Sequence, residues 1–464
     1  MADVRSTPAI RAAGSDAAWL AAAVVLTALL WFASVVLPAA FAMGLLLVFA
    51  AVLAAVTYRR PEFGIVALIG AAALDVVGRV ADVAGVVLTA YQATVALVAG
   101  VILWRILERR TEWVPTRADL PVLLLLSFSA VAIPAAVQPT TAVVSWVSLA
   151  SSVALLYLVV LAVDTADKGA LVLWSLLFVV GIFGVLAIAE RLGIWSVQPF
   201  FRVWSYGIRA RVTFKDPNVF GSFLAGCIAL TLPVALEARG WFKRACAAAC
   251  ILAGLGGLAF TFSRGAWVGF IAGLFVVLVF SRVSPALKIA VILAAAAALA
   301  VFLIRFVDPI FVQTKILDVS SNRSFLYRFY LGASGLRIFA DYPLGIGPGN
   351  WPYVFPLYRS AFVNAGLVES HTAYITVLAE TGLFGFVGFI WLILRFLGGT
   401  LRVALGASQG RLQALAVGSL AGGVALLTQA LTYSLETSKF LWLTLGLGVA
   451  AMRIYADRIE EDPS

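Results

Sequence analysis

Along the chain, apolar residues come in long runs separated by short polar or charged connections. Many of these runs approach the ~20 residues that cross a bilayer as a helix. About fourteen can be laid out, at 17–37, 39–57, 62–82, 85–107, 119–138, 142–163, 169–189, 218–237, 243–262, 265–281, 286–306, 371–396, 411–433 and 439–453. They predict an all-α, polytopic membrane bundle of about 12–14 helices, because a backbone in hydrocarbon must satisfy its own polar groups. The run at 62–82 stands apart. It carries Asp75, Arg79 and Asp82 in its second half, which predicts a helix that is short, broken or lining a polar cavity. The first run, from Trp19 to Leu37, follows Arg5 and Arg11 and is too long for the apolar part of a cleaved signal, so a retained anchor is expected.

Composition narrows the class further. Of 464 residues, 63% are hydrophobic and 12% charged, against roughly 25% charged in a soluble domain. A soluble globular enzyme is excluded, and residues 1–464 are expected to form one integral membrane domain. The net charge of +10 sorts by topology instead of marking a nucleic-acid surface. If the N-terminus is cytoplasmic, Arg59 and Arg60, then Arg105, Arg109, Arg110 and Arg117, then Arg239, Lys243 and Arg244, then Arg282 and Lys288, then Arg395, Arg402 and Arg411 all fall on the cytoplasmic side. Both termini are then expected inside. Cys227, Cys246 and Cys250 lie in apolar stretches with no histidine partner, so neither zinc nor a disulfide framework is indicated.

Two outer segments break the charge rule. Residues 190–217 carry Arg191, Arg202, Arg209, Arg211 and Lys215 where cations are normally scarce. Residues 307–370 form an outer loop far longer than an ordinary connection, which implies structure or function of its own. Within it, Ser320, Ser321 and Asn322 suit the cap of a helix through Phe325, Tyr330, Leu336 and Phe339 that ends at Asp341, Tyr342 and Pro343. Its apolar spacing predicts a helix lying on the membrane surface.

A cationic cluster on the outer face asks for an anion. Arg209, Arg211 and Lys215 lead into a helix beginning near Asn218, whose first amides would face the same place as the guanidiniums. Arg264 sits at the outer junction of two apolar helices, where an uncompensated charge is costly. For any one of these arginines, snorkelling or an ion pair explains the residue as well as a ligand does. Several on one face favour a phosphate-rich ligand, with lipid head groups as the competing anion. The single histidine, His371, lies where the long loop meets the next membrane helix. A lone interfacial histidine is ordinarily a polar anchor, but Glu369 precedes it by two residues and the cations share its face. An imidazole near its usual pKa can take a proton from an attacking hydroxyl. Glu380, about nine residues or ~13 Å further down that helix, suits polar contacts within the bundle better. Arg323, Arg328 and Arg337 are either ligand contacts or a solvated helix face. Trp351, Tyr353, Tyr358 and Arg359 are either saccharide contacts or interface anchors.

Taken in order, Arg211 through Gly221, Ser263-Arg264-Gly265, the stretch Tyr342-Pro343-Leu344-Gly345-Ile346-Gly347-Pro348-Gly349-Asn350, and His371 through Gly382 with Gly385 resemble the O-antigen ligase and polymerase superfamily of bacterial envelope glycosyltransferases. The resemblance covers roughly residues 205–445, with Val212 standing where the family's version is richer in glycine. It implies a donor glycan on a polyprenyl pyrophosphate, presented at the periplasmic face of the inner membrane among membrane lipids. The acceptor would be lipid A-core, another glycan or a protein. In that scheme Arg211 and Arg264, with Arg209 and Lys215, hold the pyrophosphate, the loop 307–370 is periplasmic, and His371 is the general base on the acceptor hydroxyl, or helps position it, for an inverting displacement. Asn218, Glu369, Arg328 and Tyr374 are substrate-contacting or supporting residues. No cofactor and no metal is implied. The three loop glycines lack the Lys-Ser or Lys-Thr of a phosphate loop and are expected to let the chain turn closely beneath the sugar. Polymerase activity is the near alternative to ligation. A glycolipid flippase or transporter, which would need no histidine-bearing loop, is the alternative from another class.

Overall fold

The computed structural model describes residues 39–74, 79–83, 86–194, 209–282, 284–293, 296, 323–360 and 369–461. In chain order its elements are α1 (Ala39–Arg59), α2 (Pro61–Ala73), β1 (Arg79–Val83), β2 (Val86–Thr89), α3 (Ala90–Leu107), α4 (Asp119–Val131), α5 (Pro139–Ala162), α6 (Ala166–Arg191) and α7 (Pro217–Leu236). They continue with α8 (Trp241–Phe260), α9 (Arg264–Phe280), α10 (Arg323–Asp341), α11 (Trp351–Tyr358), α12 (Ala373–Gly406), α13 (Arg411–Ala430) and α14 (Lys439–Glu461). Among the described residues, eight helices are long and apolar enough to cross a membrane, and α1, α2, α4 and α9 carry shorter apolar stretches. The fold is therefore the predicted all-α polytopic bundle. Twelve of the fourteen apolar runs correspond to helices. The run at 17–37 and most of that at 286–306 lie outside the described residues.

Local sequence sets most helix starts. Proline occupies the first turn of α2, α5 and α7, where its missing N–H costs nothing. Thr89 opens α3 with a capping box to Gln92. The charge-bearing run at 62–82 is short and broken, as its charges predict: α2 stops at Ala73, and Arg79–Val83 pairs antiparallel with Val86–Thr89. That hairpin also takes the first residues of the run at 85–107, so α3 begins only at Ala90. A strand pair can satisfy its backbone where the sequence is too polar to continue as a buried helix.

The bundle is centred on α7 and α13, whose apolar residues are almost entirely buried. Helix pairs approach through small residues, since lipid supplies no hydrophobic drive for helix association. A side chain at Gly269 would meet the Ala425 carbonyl at 2.5 Å, and one at Gly184 would meet the Ala253 backbone at 2.3 Å. These contacts fix α9 against α13 and α6 against α8.

Polar contacts divide the bundle into two ends. At one, Tyr58 bonds Glu108, Arg282 reaches the Leu405 carbonyl at 2.9 Å, and Arg411 bonds Asp167 at 2.5 Å. The connections that carry the expected cytoplasmic cations gather there. The other end joins the C-terminal ends of α6, α8 and α13 to the starts of α7 and α12. All the candidate site residues belong to that second end, although Tyr374 points into the helix packing.

There α12 breaks. Gly382 has φ 69° and ψ −172° inside the helix, a conformation a side chain resists. The break leaves carbonyls without helical partners, and the glycine-rich stretch before α11 supplies them: Ile346 N–H bonds Ala379 O at 3.0 Å and Gly347 N–H bonds Glu380 O at 3.0 Å. In return Leu383 N–H bonds Pro343 O at 3.0 Å. The Glu380 carboxylate accepts Gly349 N–H at 2.8 Å and Trp351 N–H at 3.2 Å, the supporting role anticipated for it. The close approach expected of these glycines is thus an approach to a helix break.

The outer helix α10 falls within a residue of its expected limits, with its proposed cap, Ser320 to Asn322, outside the described residues. Its environment is corrected: Leu331 and Ile338 are buried against Trp351, Val354 and Phe355, so that face packs on protein, while Phe329 and Leu336 remain exposed. Trp351 is a core residue of this outer layer, and the Tyr358 hydroxyl donates to Asp341 at 2.6 Å.

The glycine contact yields a prediction. Gly345→Ala places a methyl 2.5 Å from Glu380 O at a φ of 92°, which should lower stability by about 2–4 kcal/mol. An unfolding midpoint of detergent-purified protein equal to wild type would contradict this packing.

Candidate functional site

Four short segments and one helix build the outer end. The segment 209–216 enters α7, the turn 261–263 joins α8 to α9, residues 369–372 enter α12, and 431–438 joins α13 to α14. The helix is α10, through Arg328.

The segment 209–216 is tied down by its backbone. Glu190, at the end of α6, accepts the N–H groups of Arg211 and Val212 at 3.1 and 2.9 Å through one oxygen. Ala210 N–H bonds Phe260 O at 2.8 Å, and the Thr213 hydroxyl bonds Ala73 O at 2.6 Å. Phe214 inserts among Phe183, Phe220, Phe223 and Phe440. Arg211 is consequently held at a buried position, its guanidinium reaching Lys215 O at 3.4 Å. Val212 takes φ 52°, a glycine conformation at the position where the resembling family is richer in glycine. Among the described non-glycine residues only Arg109, Val212, Phe262 and His371 have positive φ. Three of these four lie beside or at Arg211, Arg264 and His371, and each costs about 1–3 kcal/mol. Strain of this kind collects where surrounding structure imposes a geometry.

Arg209 is committed to architecture. Its guanidinium donates to Thr261 O at 2.8 Å and to the Asn218 side chain at 2.9 Å, joining the end of α8 to the start of α7. Asn218 is equally engaged, its carbonyl accepting from Gln429 at 3.1 Å. The start of α7 agrees with expectation to within one residue. Its amides are less open than expected, because the Asp216 carboxylate caps Asn218 N–H at 2.6 Å.

His371 immediately precedes Thr372, the cap residue of α12. Lys215 bridges from the α7 segment to Glu369 at 2.8 Å, and Tyr433 lies 5.8 Å from the imidazole, ring centre to ring centre. The Nδ1 atom of His371 is buried with no hydrogen-bond partner among the described residues. Burial holds the imidazole below the usual 6.5; Glu369 and Asp216 pull it up, while Arg328 and Lys215 push it down. Burial raises the Glu369 carboxyl, but Lys215 and His371 outweigh it and leave the group below its ordinary value. Arg328 is lowered by burial and by the neighbouring charge of Arg264, so α10 brings a further guanidinium towards both Arg264 and His371. Arg264 itself is exposed at the first turn of α9, and Arg337 faces outward. Tyr374 is a packing residue: its hydroxyl donates to Leu427 O at 3.1 Å and its ring lies against Phe389.

Beside this cluster is a cavity of about 230 Å³, lined by hydroxyls of α5, by Lys215 and Glu369, and by Ser434, Glu436 and Thr437 of the α13–α14 connection. Burial, with Glu380 and Glu369 nearby, pushes the Glu436 carboxyl up to about 8. Neither Glu190 nor Glu436 was singled out from sequence. A lone acid at the outer end of an apolar helix was the only available signal for either. The arrangement as a whole offers guanidiniums for an anion, a neutral imidazole for a proton, and a separate polar pocket.

Because one Glu190 oxygen serves two amides, Glu190→Ala should destabilise by about 2–4 kcal/mol, and Glu190→Gln, which keeps an acceptor oxygen, by clearly less. Equal unfolding midpoints for the two variants would contradict this anchoring.

Residues 248–390 match the family model Wzy_C, described as O-Antigen ligase. The matched segment runs from within α8 into α12 and contains Arg264, Arg328, the glycine loop, Glu369 and His371, while Arg209, Arg211, Lys215 and Glu436 lie outside it. A search among curated proteins found no match. Through that segment this multi-pass membrane protein is similar to the O-antigen ligase family, which supports a function of the O-antigen ligase or polymerase type.

Proposed function

We propose that this protein moves a glycan from a polyprenyl-pyrophosphate donor to an acceptor hydroxyl, at the periplasmic face of the inner membrane and with both termini cytoplasmic. The observation that carries this reading is the meeting of Arg328, Lys215 and Glu369 around a half-buried, neutral His371 at one end of the bundle, with Arg264 beside Arg328. The orientation is supported by the cation-rich connections gathered at the opposite end.

The chemistry follows from what each group can do. The acceptor oxygen attacks the anomeric carbon as the bond to the pyrophosphate oxygen breaks, so a single displacement inverts that carbon. Negative charge grows on the departing polyprenyl pyrophosphate, and Arg211, Arg264 and Arg328 stabilise it. Arg209 acts by fixing the Arg211 segment between α7 and α8. The acceptor proton passes to His371, which can receive it because burial keeps the ring neutral at pH 7. Guanidiniums supply the positive charge, so the scheme needs no metal ion. Polymerisation of one lipid-linked glycan onto another uses the same steps with a different acceptor.

The test is transfer by reconstituted protein from a radiolabelled polyprenyl-pyrophosphate glycan, offered lipid A-core and a second lipid-linked glycan in parallel. Label on lipid A-core identifies a ligase, and longer chains on polyprenol identify a polymerase. His371→Ala and Arg211→Ala should each insert normally and lose transfer by at least about 100-fold; wild-type rates in both would overturn the site assignment. Label crossing the bilayer with its pyrophosphate bond intact would identify a transporter instead.

The histidine also fixes the sign of the pH response. Its folded pKa lies below the unfolded 6.5, so the unfolded chain takes up the proton first as pH falls. Stability should decline as pH falls from 6.5 towards the folded value, and transfer should fall along a limb centred below 6.5. A limb centred above 6.5, or His371→Ala retaining the limb, would contradict the base assignment.

A further inference from the structure

We propose that the cavity beside the cationic cluster is the acceptor subsite, that it takes one uncharged sugar ring, and that Glu436 positions that ring's hydroxyls. This inference rests on the transfer reading above and names the half of the reaction which the arginines leave unassigned.

The lining decides the class of ligand. Ser145, Ser148, Ser434 and Thr437 contribute hydroxyls, and Glu380 and Glu436 contribute carboxyl groups. Lys215, the one cation lining it among the described residues, is joined to Glu369. With Lys215 engaged by Glu369, the lining offers a pyrophosphate little positive charge, whereas sugar hydroxyls can donate to carboxyl oxygens and accept from serines. The carboxylate of Glu380 is already occupied by Gly349 and Trp351 amides, which leaves it a structural post. By contrast, Oε2 of Glu436 is buried and has no hydrogen-bond partner among the described residues. The indole N–H of buried Trp351, which also lines the cavity, is likewise unused among them. At about 230 Å³ the space is smaller than the roughly 300–1,000 Å³ that enclose a drug-sized ligand. One ring fits, with the rest of the acceptor outside.

Position supports the same assignment. Lys215 and Glu369 line the cavity and also face His371, so the ion pair stands between the two halves of the site. An acceptor ring in the cavity is separated from the donor's phosphates by that pair, which also borders the histidine.

The test uses the full reconstituted chain, the radiolabelled donor, and whichever of lipid A-core or lipid-linked glycan the wild type accepts. Glu436→Ala should raise the acceptor KM by at least about tenfold while the donor Kd stays within about twofold. Glu436→Gln, which keeps one acceptor oxygen, should fall between. Ser148→Trp, which fills the cavity from another element, should raise the acceptor KM in the same way and guards against a folding defect peculiar to Glu436. An unchanged acceptor KM in both Glu436→Ala and Ser148→Trp would overturn the proposal. So would a weakened donor Kd with the acceptor KM unmoved, which would make the cavity part of the donor site. Direct binding of both acceptors without donor separates the two levels: acceptor binding that depends on Glu436, in a protein that transfers nothing, retains the subsite and rejects the transfer reading.

Discussion

Two carboxylates, the half-buried Glu190 and the buried Glu380, each accept two backbone N–H groups and hold the outer end of this protein together. Glu190 takes the amides of Arg211 and Val212, and Glu380 takes those of Gly349 and Trp351. In apolar surroundings an unsatisfied amide is costly and an uncompensated carboxylate more so. Each acid therefore needs its loop as much as the loop needs the acid. Both loops have little regular structure of their own, and both carry or border the residues that face the site.

The same constraint explains the break in α12. A helix kinked at Gly382 exposes the carbonyls of Ala379 and Glu380, and the glycine loop closes over them with its own amides. The repair carries α11 and the buried face of α10 onto the bundle, which brings Arg328 towards His371 and Arg264. Strained backbone at Val212, Phe262 and His371 marks where these pieces meet. Short segments at the helix ends thus present Arg211, Lys215, Glu369 and His371, while Arg264 comes from the first turn of α9 and Arg328 from α10.

Much of this was legible in the sequence. Apolar run length located the spanning helices, and cap residues together with apolar spacing located α10 and the start of α7. Charge on the unexpected face drew attention to Arg211, Arg264 and His371. What was not legible depends on partners distant in the chain. The apolar face of α10 looked suited to lipid, because spacing cannot say whether Trp351 or a bilayer will cover Leu331 and Ile338. The run at 62–82 showed its broken half by charge, yet nothing in it signalled a hairpin. Arg209 looked like a ligand contact until Thr261 and Asn218 were brought to it by the fold. Glu190 and Glu436 gave almost no signal, since an isolated acid acquires a role only when the amides or the cavity it meets are known.

The central claim is that the guanidiniums at the His371 end hold the donor's pyrophosphate. The most direct measurement is a cryo-electron microscopy structure of the protein in lipid nanodiscs with bound polyprenyl pyrophosphate. The account predicts phosphate density in contact with Arg211 and Arg264, within reach of Arg328. Phosphate density at the opposite end of the bundle, among Arg105, Arg110 and Arg411, would contradict it.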